Sequence, residues 1–504
     1  MTKETSETLF RICNEIQSPI AQLFFKPFSR PYVVLNDPRE VQDILIVLPQ
    51  CTLAQQTTPK LKAQKRLWSD VMGTGFLRRV VAPRLHDAGI DLVEYWRLKA
   101  AKNDGEAFYV YEDFECAALD AIWAAIIGTH LGLIREKMRS MQPDYEAGAA
   151  MSAESDVDGV GASAVTGRII REGIGYINQV VEEVVLSPFP AITRWWIRKR
   201  PALLRHRREM EKEIRKVIIA SCERFDKAIE AGYGDDEALD TCAMDLVLRR
   251  EILTAKKKGL PMPTPASDPS FQSELQLLLQ AAADSTSHTL SWFVKFMSAY
   301  QQVQTKFRAE LRRVFPGPGL PSAAQILDTD IPYLDAVVEE TLRLSVTAGV
   351  VPREVVIDTQ ILGCHIPKGT IVFLSTRVQA EPLRIAEERR SDSSRAAIEK
   401  RSYHGLHGQE AQNLDVFEPS RWITPDEKGN EMFDVNTLPT LWFGGGFRGC
   451  FGRKLAMQEL RIMAALLVLS FEFLPLQEHL SSMVGEEHGL FRRPAKSFAR
   501  IRAL

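Results

Sequence analysis

Residues 442–453 read WFGGGFRGCFGR and hold the most informative cysteine of the chain, Cys450. Four glycines precede this cysteine and one follows it. Glycine lets a backbone approach a flat ligand closely and adopt positive φ angles. The next residues, RKLAMQELRIMAALLVL, have a strongly helical pattern. We therefore expect Cys450 in a tight turn at a helix N-terminus, where free N–H groups and the helix dipole favour a thiolate.

Composition limits the classes of protein to which the chain can belong. It has 504 residues, of which 45% are hydrophobic and 25% are charged, as in ordinary soluble globular proteins. The net charge of −2 gives no basic field that would attract nucleic acid. Seven cysteines, an odd number without a CxxC pair, argue against a disulfide framework and a structural zinc site.

The N-terminal residues are polar and interrupted by charges, so they form neither a signal peptide nor an apolar run of the ~20 residues that span a bilayer. The longest later apolar run, from Met463 to Phe471, is too short to span. We expect no transmembrane helix, an N-terminal segment without a membrane anchor at residues 1–20, and a single domain at residues 21–504.

Helical periodicity dominates the chain, and strand patterns occur in two places. An N-cap and an apolar stripe predict a helix from Pro38, after a short strand at residues 31–35. Residues 350–376 are hairpin-like. Polar segments at 144–161 and 386–413 are predicted surface loops. The pattern indicates a mainly α fold with a small β region (α+β). Long helices are predicted at residues 107–130, 166–185, 203–230, 271–300, 303–314, 333–345 and 453–467.

The cysteine stretch resembles the heme-binding loop of the cytochrome P-450 family, Phe-x-x-Gly-x-Arg-x-Cys-x-Gly. The matching positions are Phe443, Gly446, Arg448, Cys450 and Gly452. The resemblance implies the P-450 fold, heme b (iron protoporphyrin IX) as cofactor and the cysteine as axial iron ligand. A thiolate ligand favours O–O cleavage of bound O2. It also implies that the phenylalanine packs near the cysteine and that the arginine binds a heme propionate.

A second pair of residues, Glu340 and Arg343, is spaced i, i+3, so the two side chains meet on one helix face. In isolation such a pair is most often a surface ion pair of little worth. In context it resembles the family's Glu-x-x-Arg, and Phe417-Glu-Pro-Ser-Arg421 resembles its Phe-x-Pro-x-Arg element. The resemblance implies that Glu340, Arg343 and Arg421 lock the core behind the heme and do no chemistry.

The stretch at 280–287, QAAADSTS, interrupts an apolar helix and in isolation suits an exposed face. It resembles the family's central helix, in which an acid and a hydroxyl relay protons to bound oxygen. The catalytic candidates are Asp284, Ser285 and Thr286. Ala282 replaces the usual glycine and Ser285 the usual threonine, so the sequence leaves open which of the two hydroxyls is the relay.

Two arginines are further candidates for heme propionate binding by resemblance. Arg78 lies in a segment similar to the family's Trp-x-x-x-Arg, with Thr74 at the tryptophan position. Arg353 follows Val351-Pro352, similar to the segment that binds the other propionate. The alternative for each arginine is simple solvent exposure.

The substrate-contacting segments implied by the resemblance are residues 51–75, the residues before Asp284, and Ser345 to Val351. The last of these segments is small and apolar, and an apolar pocket suits a lipophilic small molecule. At 188–206, Trp195 and Trp196 stand beside basic residues. This segment is either a core-packed helix start with a solvated basic face or a lid that touches a membrane surface.

The predicted function is a heme-thiolate monooxygenase that uses O2 to hydroxylate or epoxidise a lipophilic intermediate, in the manner of fungal secondary-metabolism members. NADPH-derived electrons would come from a separate NADPH–cytochrome P-450 reductase, with cytochrome b5 as a second candidate donor. The alternatives are desaturation, ring formation or oxidative coupling at the same iron, or a non-catalytic heme sensor. The expected location is the cytoplasmic side of the endoplasmic reticulum membrane, peripherally bound, or a soluble state.

Overall fold

A computed structural model describes residues 5–24, 31–46, 65–103, 105–141, 157–187, 189–230, 240–378, 383, 385–400 and 413–504. Helices dominate these residues and strands are short, which confirms the predicted mainly α class with a small β part. The helices are α1 Thr5–Glu15, α2 Pro38–Ile46, α3 Thr74–Phe76, α4 Ala82–Lys102, α5 Tyr111–Ile127, α6 Leu133–Met141, α7 Val157–Leu186, α8 Pro190–Ile197, α9 Pro201–Glu230, α10 Ala243–Lys258, α11 Pro269–Ala299, α12 Gln301–Val314, α13 Ala323–Asp328, α14 Pro332–Ser345, α15 Asp392–Lys400, α16 Arg453–Ser470 and α17 Glu478–Ser481. The strands are β1 Ile20–Leu23, β2 Tyr32–Leu35, β3 Phe108–Tyr109, β4 Val350–Glu354, β5 Thr359–Ile361, β6 Cys364–Ile366, β7 Ile371–Ser375, β8 Ile423–Pro425, β9 Glu431–Phe433, β10 Phe471–Phe473, β11 Gly485–His488, β12 Phe491–Pro494, β13 Phe498–Ala499 and β14 Ile501–Ala503.

The largest sheet has the strand order β1-β2-β7-β4 and joins the two regions in which the sequence predicts strands. β2 pairs in parallel with β7, with Val33 opposite Val372, and antiparallel with β1. Val34 and Leu35 are fully buried, as expected for a strand rich in β-branched residues that is covered on its faces. The predicted hairpin is β5–β6, which turns through Leu362 and Gly363 at positive φ.

The central helix α11 begins after Asp268, whose side chain accepts a hydrogen bond from the backbone N–H of Ser270, with Pro269 at the first helical position. Its second half is buried on all sides, from Thr286 to Ser298. α5, α14 and α16 pack around it. A helix that is buried all round forms the core of a large domain, and here it lies beside the helix that follows the cysteine loop.

The helix that follows the cysteine loop, α16, packs against α4 at a close crossing. Gly89 of α4 lies at this crossing, where an added Cβ would come within 2.8 Å of Leu466 Cδ1. Leu466 and its neighbours in α16 are fully buried. The cysteine loop is therefore attached to one of the most tightly packed helices in the described protein.

Two predicted loops differ in the structure. Within residues 386–413, a helix forms at Asp392–Lys400, and Arg390 just before it makes a buried ion pair with Asp37 at 2.8 Å. Sequence periodicity missed this helix because a tertiary contact orders a highly charged segment. Of residues 144–161, those from 157 begin α7, and residues 144–156 lie outside the described part. The described helices include none long and apolar enough to cross a bilayer.

Candidate active site

The cysteine loop is a tight turn immediately before α16, as the sequence predicts. The backbone N–H of Cys450 donates to the Phe443 carbonyl at 2.7 Å, which closes the loop. Gly444 and Gly446 have φ angles of +62° and +60°, which only glycine adopts without strain. A Cβ on Gly449 would lie 3.2 Å from the Gly446 carbonyl oxygen. The loop thus requires glycine at 444 and 446, and it leaves Cys450 exposed for a ligand.

Opposing effects act on the Cys450 thiol. Although the side chain is accessible, the surrounding protein atoms partly desolvate it and raise its pKa, while the backbone N–H groups of Gly452 and Arg453 and the charges of Lys65 and Arg453 lower it. The pKa remains above its usual value, so the protein alone favours the thiol. A coordinated metal ion deprotonates a thiol outright. Among the described residues, no cluster of three or more metal-ligating side chains occurs.

A cation that the sequence motifs missed, Lys65, lies near the cysteine loop. Burial and the charge of Arg448 lower the pKa of Lys65, and Cys450 raises it, so it interacts with both residues. Its segment is held by Arg250, which donates to the carbonyls of Arg66 and Leu67 at 2.8 and 2.6 Å. Two cations beside one thiol suit a cofactor that carries carboxylates, as heme does.

The predicted propionate ligand Arg78 lies elsewhere. Its guanidinium forms an ion pair with Asp328 at the end of α13, and its side chain is half exposed. Phe76 and Leu77 point into the core, so the following arginines fall on the outer side of the π-helical turn Leu77–Val81. The placement of Arg78 thus does not support its assignment to the cofactor, and Lys65 is the cation beside the cysteine.

The second predicted propionate ligand, Arg353, is buried on β4 opposite Val372. Its Nη1 donates to the Pro352 carbonyl at 3.0 Å. A buried position rules out the alternative of simple solvent exposure for Arg353. Its role toward a cofactor stays a prediction.

The structure brings Glu340, Arg343 and Arg421 together in a cluster in which the side chains of Glu340 and Arg343 are fully buried. Arg343 Nε and Nη2 donate to the two oxygens of Glu340 at 2.8 and 2.7 Å, and Arg421 Nε donates to Oε1 at 3.0 Å. Trp422 Nε1 and the backbone N–H of Glu418 also donate to this carboxylate, at 2.8 and 2.9 Å. The isolated reading of a surface ion pair is therefore wrong.

The charge of Glu340 is stabilised by these donors. Burial alone would raise its pKa, but Arg343 and Arg421 outweigh burial and hold the pKa below its usual value. Arg343 Nη1 also donates to the carbonyls of Val378 and Leu414. The cluster thus fixes α14 to two loops that precede the cysteine segment.

Asp284 lies in the buried part of α11, and its two carboxyl oxygens have different surroundings. Asn178 Nδ2 on α7 donates to Oδ2 at 2.8 Å, and Gln280 Nε2 donates to Asn178 Oδ1 at 2.8 Å. Within the described protein, Oδ1 is buried without a hydrogen-bond partner. Burial raises the pKa of Asp284 to about 6, against the lowering effect of Asn178 and Gln280. This carboxyl can therefore hold a proton near neutral pH.

The two candidate hydroxyls next to Asp284 point to different surroundings. Ser285 is half-buried, and its Oγ donates to the Ala281 carbonyl at 2.7 Å. Ala281, one turn earlier on the same face, is exposed. Thr286 is buried, and its Oγ1 donates to Glu459 Oε2 on α16 at 3.0 Å. Ser285 is therefore the accessible hydroxyl.

The predicted substrate segment Ser345 to Val351 packs against α11 one turn beyond Ser285. Thr347 Oγ1 is 2.8 Å from Thr289 Oγ1, which in turn donates to the Ser285 carbonyl at 2.9 Å. The segment therefore lies next to the candidate relay. Residues 51–64 of the other predicted substrate segment lie outside the described residues.

Sequence motifs did not identify several buried polar residues around Asp284. His288 is fully buried, its Nδ1 lies 2.5 Å from the Asp284 carbonyl, and burial lowers its pKa to about 3. Glu115 faces Arg171 at 3.4 Å, and burial raises its pKa to about 7. Glu115 comes close to Asp284 only through the packing of α5 on α11, whereas His288 lies one turn after Asp284 on α11 itself.

The segment at 188–206 includes the short helix α8, whose indoles face outward. Trp195 and Trp196 are 53% and 62% exposed, and Phe189 and Ile192 are equally accessible. Lys199 Nζ lies 3.5 Å from the centre of the Trp195 ring. Exposed indoles rule out the alternative of a core-packed helix start, and aromatic and basic side chains on one surface suit an anionic interface.

Comparison with known proteins places the chain among related sequences. The family model described as Cytochrome P450 matches residues 47–378 and 412–499. The cytochrome P450 monooxygenase TRI13 of Fusarium sporotrichioides is 30% identical over 96% of this chain and 87% of its own length. GME11363 of Pestalotiopsis microspora is 28% identical over 100% of this chain and 90% of its own length, and xilC of Penicillium crustosum is 29% identical over 97% and 85%. Both carry the same description, cytochrome P450 monooxygenase.

Proposed function

The chain belongs to the cytochrome P450 family and is a monooxygenase of that family, and we propose that Cys450 is the axial ligand of its heme iron. The single observation that carries this proposal is the loop geometry: an exposed thiol, on glycines at positive φ, next to the N–H groups that begin α16. When bound, the heme supplies an iron centre that activates O2 for insertion of one oxygen atom.

The residues around the thiol fit such a cofactor. Arg448 and Lys65 provide positive charge for its carboxylates, and Arg353 is the further candidate. Phe443 packs at the base of the loop, where the Arg453 guanidinium lies 5.7 Å from the centre of its ring. Gly446 takes a positive φ before the cysteine, and Gly452 directly precedes α16 after it.

The proton-relay role falls to Asp284 and Ser285. The raised pKa of Asp284 lets it hold a proton near neutral pH, on an oxygen that no described side chain occupies. Ser285 presents its hydroxyl on the accessible side of α11, where it can pass a proton on. Thr286 supports the relay through its contact with α16. A purely heme-binding sensor would need no such pair, so the geometry favours catalysis.

We infer a lipophilic small molecule as substrate. The accessible face of α11 carries Leu277, Leu278, Ala281 and Ala282, and Ser345 to Val351 lies against the same helix. Hydroxylation or epoxidation is the proposed outcome, and desaturation, ring formation and oxidative coupling are alternatives at the same iron. The fungal relatives support a role in secondary metabolism.

Electrons are proposed to come from NADPH through a separate cytochrome P450 reductase, with cytochrome b5 as a second donor, because the sequence has no flavin or dinucleotide motif. The exposed indoles of α8 are proposed to touch a membrane surface. We propose a peripheral location on the cytoplasmic side of the endoplasmic reticulum membrane, with a soluble state as the alternative.

The test of the ligand assignment is the absorption spectrum of the reduced protein under carbon monoxide. The wild-type protein should show the long-wavelength Soret band of thiolate ligation, and Cys450→Ala should lose it. Cys364→Ala, at a half-buried cysteine on β6, is the matched control and should keep it. Persistence of the band in Cys450→Ala would overturn the assignment.

A further inference from the structure

A hydrogen bond links the central helix to the helix that follows the cysteine loop. Thr286 Oγ1 of α11 donates to Glu459 Oε2 of α16 at 3.0 Å. Both side chains are 4% exposed, so water does not compete for the bond. Motif reasoning gave Glu459 no role, and it lies in α16 nine positions after Cys450.

This bond restrains rotation of α11 about its own axis. Consecutive residues of an α-helix point about 100° apart. Thr286 and Ser285 therefore face different surroundings, and holding one of them sets the direction of the other. With Thr286 turned toward α16, Ser285 falls on the face that carries the exposed Ala281.

The buried carboxyl of Glu459 would lose stability without its hydrogen bond from Thr286. A buried carboxyl without a partner costs more than the hydrogen bond itself contributes. Burial raises the pKa of Glu459 to about 7, and the Thr286 hydroxyl is the group that opposes this effect. Turning α11 so that Thr286 faced the accessible side would leave the carboxyl without that donor. The buried acid thus favours one setting of the helix.

We propose that Glu459 is a positioning residue that, by holding Thr286, selects Ser285 as the hydroxyl that serves the proton relay. This inference rests on the proposed relay and deepens it. Glu459 itself donates no proton to the reaction. Its effect reaches the site through the orientation of two neighbouring side chains.

The experiment uses the heme-loaded full chain and cumene hydroperoxide, which needs no knowledge of the natural substrate. Heterolytic O–O cleavage sends both bonding electrons to the departing oxygen, which takes up a proton and leaves as 2-phenyl-2-propanol. Homolytic cleavage gives an alkoxyl radical, which loses a methyl radical to form acetophenone. The ratio of alcohol to ketone therefore reports proton delivery to the departing oxygen.

The expected results distinguish a positioning role of Glu459 from a role in helix packing alone. Ser285→Ala should lower the ratio about fivefold, the factor that corresponds to one hydrogen bond of ~1 kcal/mol. Glu459→Leu and the near-isosteric Thr286→Val should each lower it similarly, and Glu459→Gln, which keeps an acceptor oxygen, should restore it. In the Glu459→Leu background, Ser285→Ala should change the ratio less than twofold, because Ser285 has then already lost its position in the relay.

The outcomes distinguish the two proposals. All variants are compared at equal heme content, with the thiolate band under carbon monoxide intact. If Ser285→Ala leaves the ratio unchanged, the relay assignment fails. If Ser285→Ala lowers it but Glu459→Leu and Thr286→Val do not, the relay stands and the positioning role of Glu459 is overturned. An undiminished Ser285→Ala effect in the Glu459→Leu background also overturns it.

Discussion

Asn178 donates a hydrogen bond of 2.8 Å from Nδ2 to Oδ2 of Asp284, across the contact between α7 and α11. This bond occupies one oxygen of a buried carboxyl and leaves the other without a described partner. The amide orientation is fixed in turn, because Asn178 Oδ1 accepts from Gln280. The two oxygens of Asp284 are thus unequal, and Oδ1 is the one available to carry a proton.

Replacing Asp284 by Asn should slow product formation while heme binding and the thiolate spectrum survive. The pKa of Asp284 is raised from 3.8 to about 6, so its protonated form is lost as pH rises through about 6. Wild-type cleavage of cumene hydroperoxide should therefore give less alcohol above that pH, and the variant should lack this dependence. The product ratio measured between pH 5 and pH 8 checks the prediction.

The same substitution makes a prediction about stability with a definite sign. Because the folded-state pKa is raised, the folded protein gains from the protonated carboxyl at low pH and loses that gain as pH rises through about 6. Asp284→Asn removes the cost of an ionised buried carboxyl. Its stability in urea relative to the wild type should therefore be higher at pH 8 than at pH 5. A constant difference across this range would contradict the burial argument.

Glu340→Gln should destabilise the protein strongly. It leaves the guanidinium of Arg343 buried without its counter-charge, a loss of about 3–5 kcal/mol for a buried pair. Glu310→Gln is the matched control, because Glu310 and Arg313 are also spaced i, i+3 but Arg313 is 69% exposed. That variant should cost at most about 1 kcal/mol. Urea denaturation of both variants measures the difference, and equal costs would show that burial of the first pair contributes nothing.

Lys65→Glu should weaken heme retention, whereas Arg78→Glu should leave it near the wild-type rate. The first variant puts an anion beside Arg448 and Cys450, while the second breaks a surface contact with Asp328. Transfer of heme to excess apomyoglobin, followed by absorbance, gives the two dissociation rates. If heme dissociated faster from Arg78→Glu than from Lys65→Glu, the result would support Arg78, and not Lys65, as the propionate ligand.

The double variant Trp195→Ser and Trp196→Ser should bind anionic phospholipid vesicles roughly tenfold more weakly, because exposed indoles anchor a protein at the lipid interface. Leu490→Ser is the control, since Leu490 is 67% exposed but lies outside the α8 surface. Vesicle flotation at low and high salt measures both contributions, because the basic neighbours of the indoles act through screened charge. Equal binding of all three proteins would remove α8 from the membrane contact.

Local patterns predicted the parts of the site that depend on neighbouring residues. The turn at Cys450 follows from its glycines and the helix behind it, and the contact of Glu340 with Arg343 follows from i, i+3 spacing. The burial of that pair does not follow from spacing, because Arg421 and Trp422 reach it only through the fold.

Other residues could not be found from local pattern. Asn178 is 106 positions from Asp284, and Thr286 is 173 positions from Glu459, so no periodicity relates them. The position of Lys65 beside the cysteine loop could not be predicted for a similar reason. The sequence shows where the basic residues lie along the chain, but the direction of each side chain depends on which of its neighbours are buried. Phe76 and Leu77 are buried, so the arginines that follow them face outward.

The crossing of α4 and α16 at Gly89 has a consequence for how the protein tolerates change. Because residue 89 has no side chain, α4 and α16 approach closely, and Leu466 of α16 occupies the space beside the position that a Cβ would take. Residue 89 thus adds no side-chain volume between the two helices. A side chain there would first meet the ends of Leu466 and Met463, which lie in the half of α16 remote from Cys450, so the packing of the two helices would change before the turn that presents the sulfur.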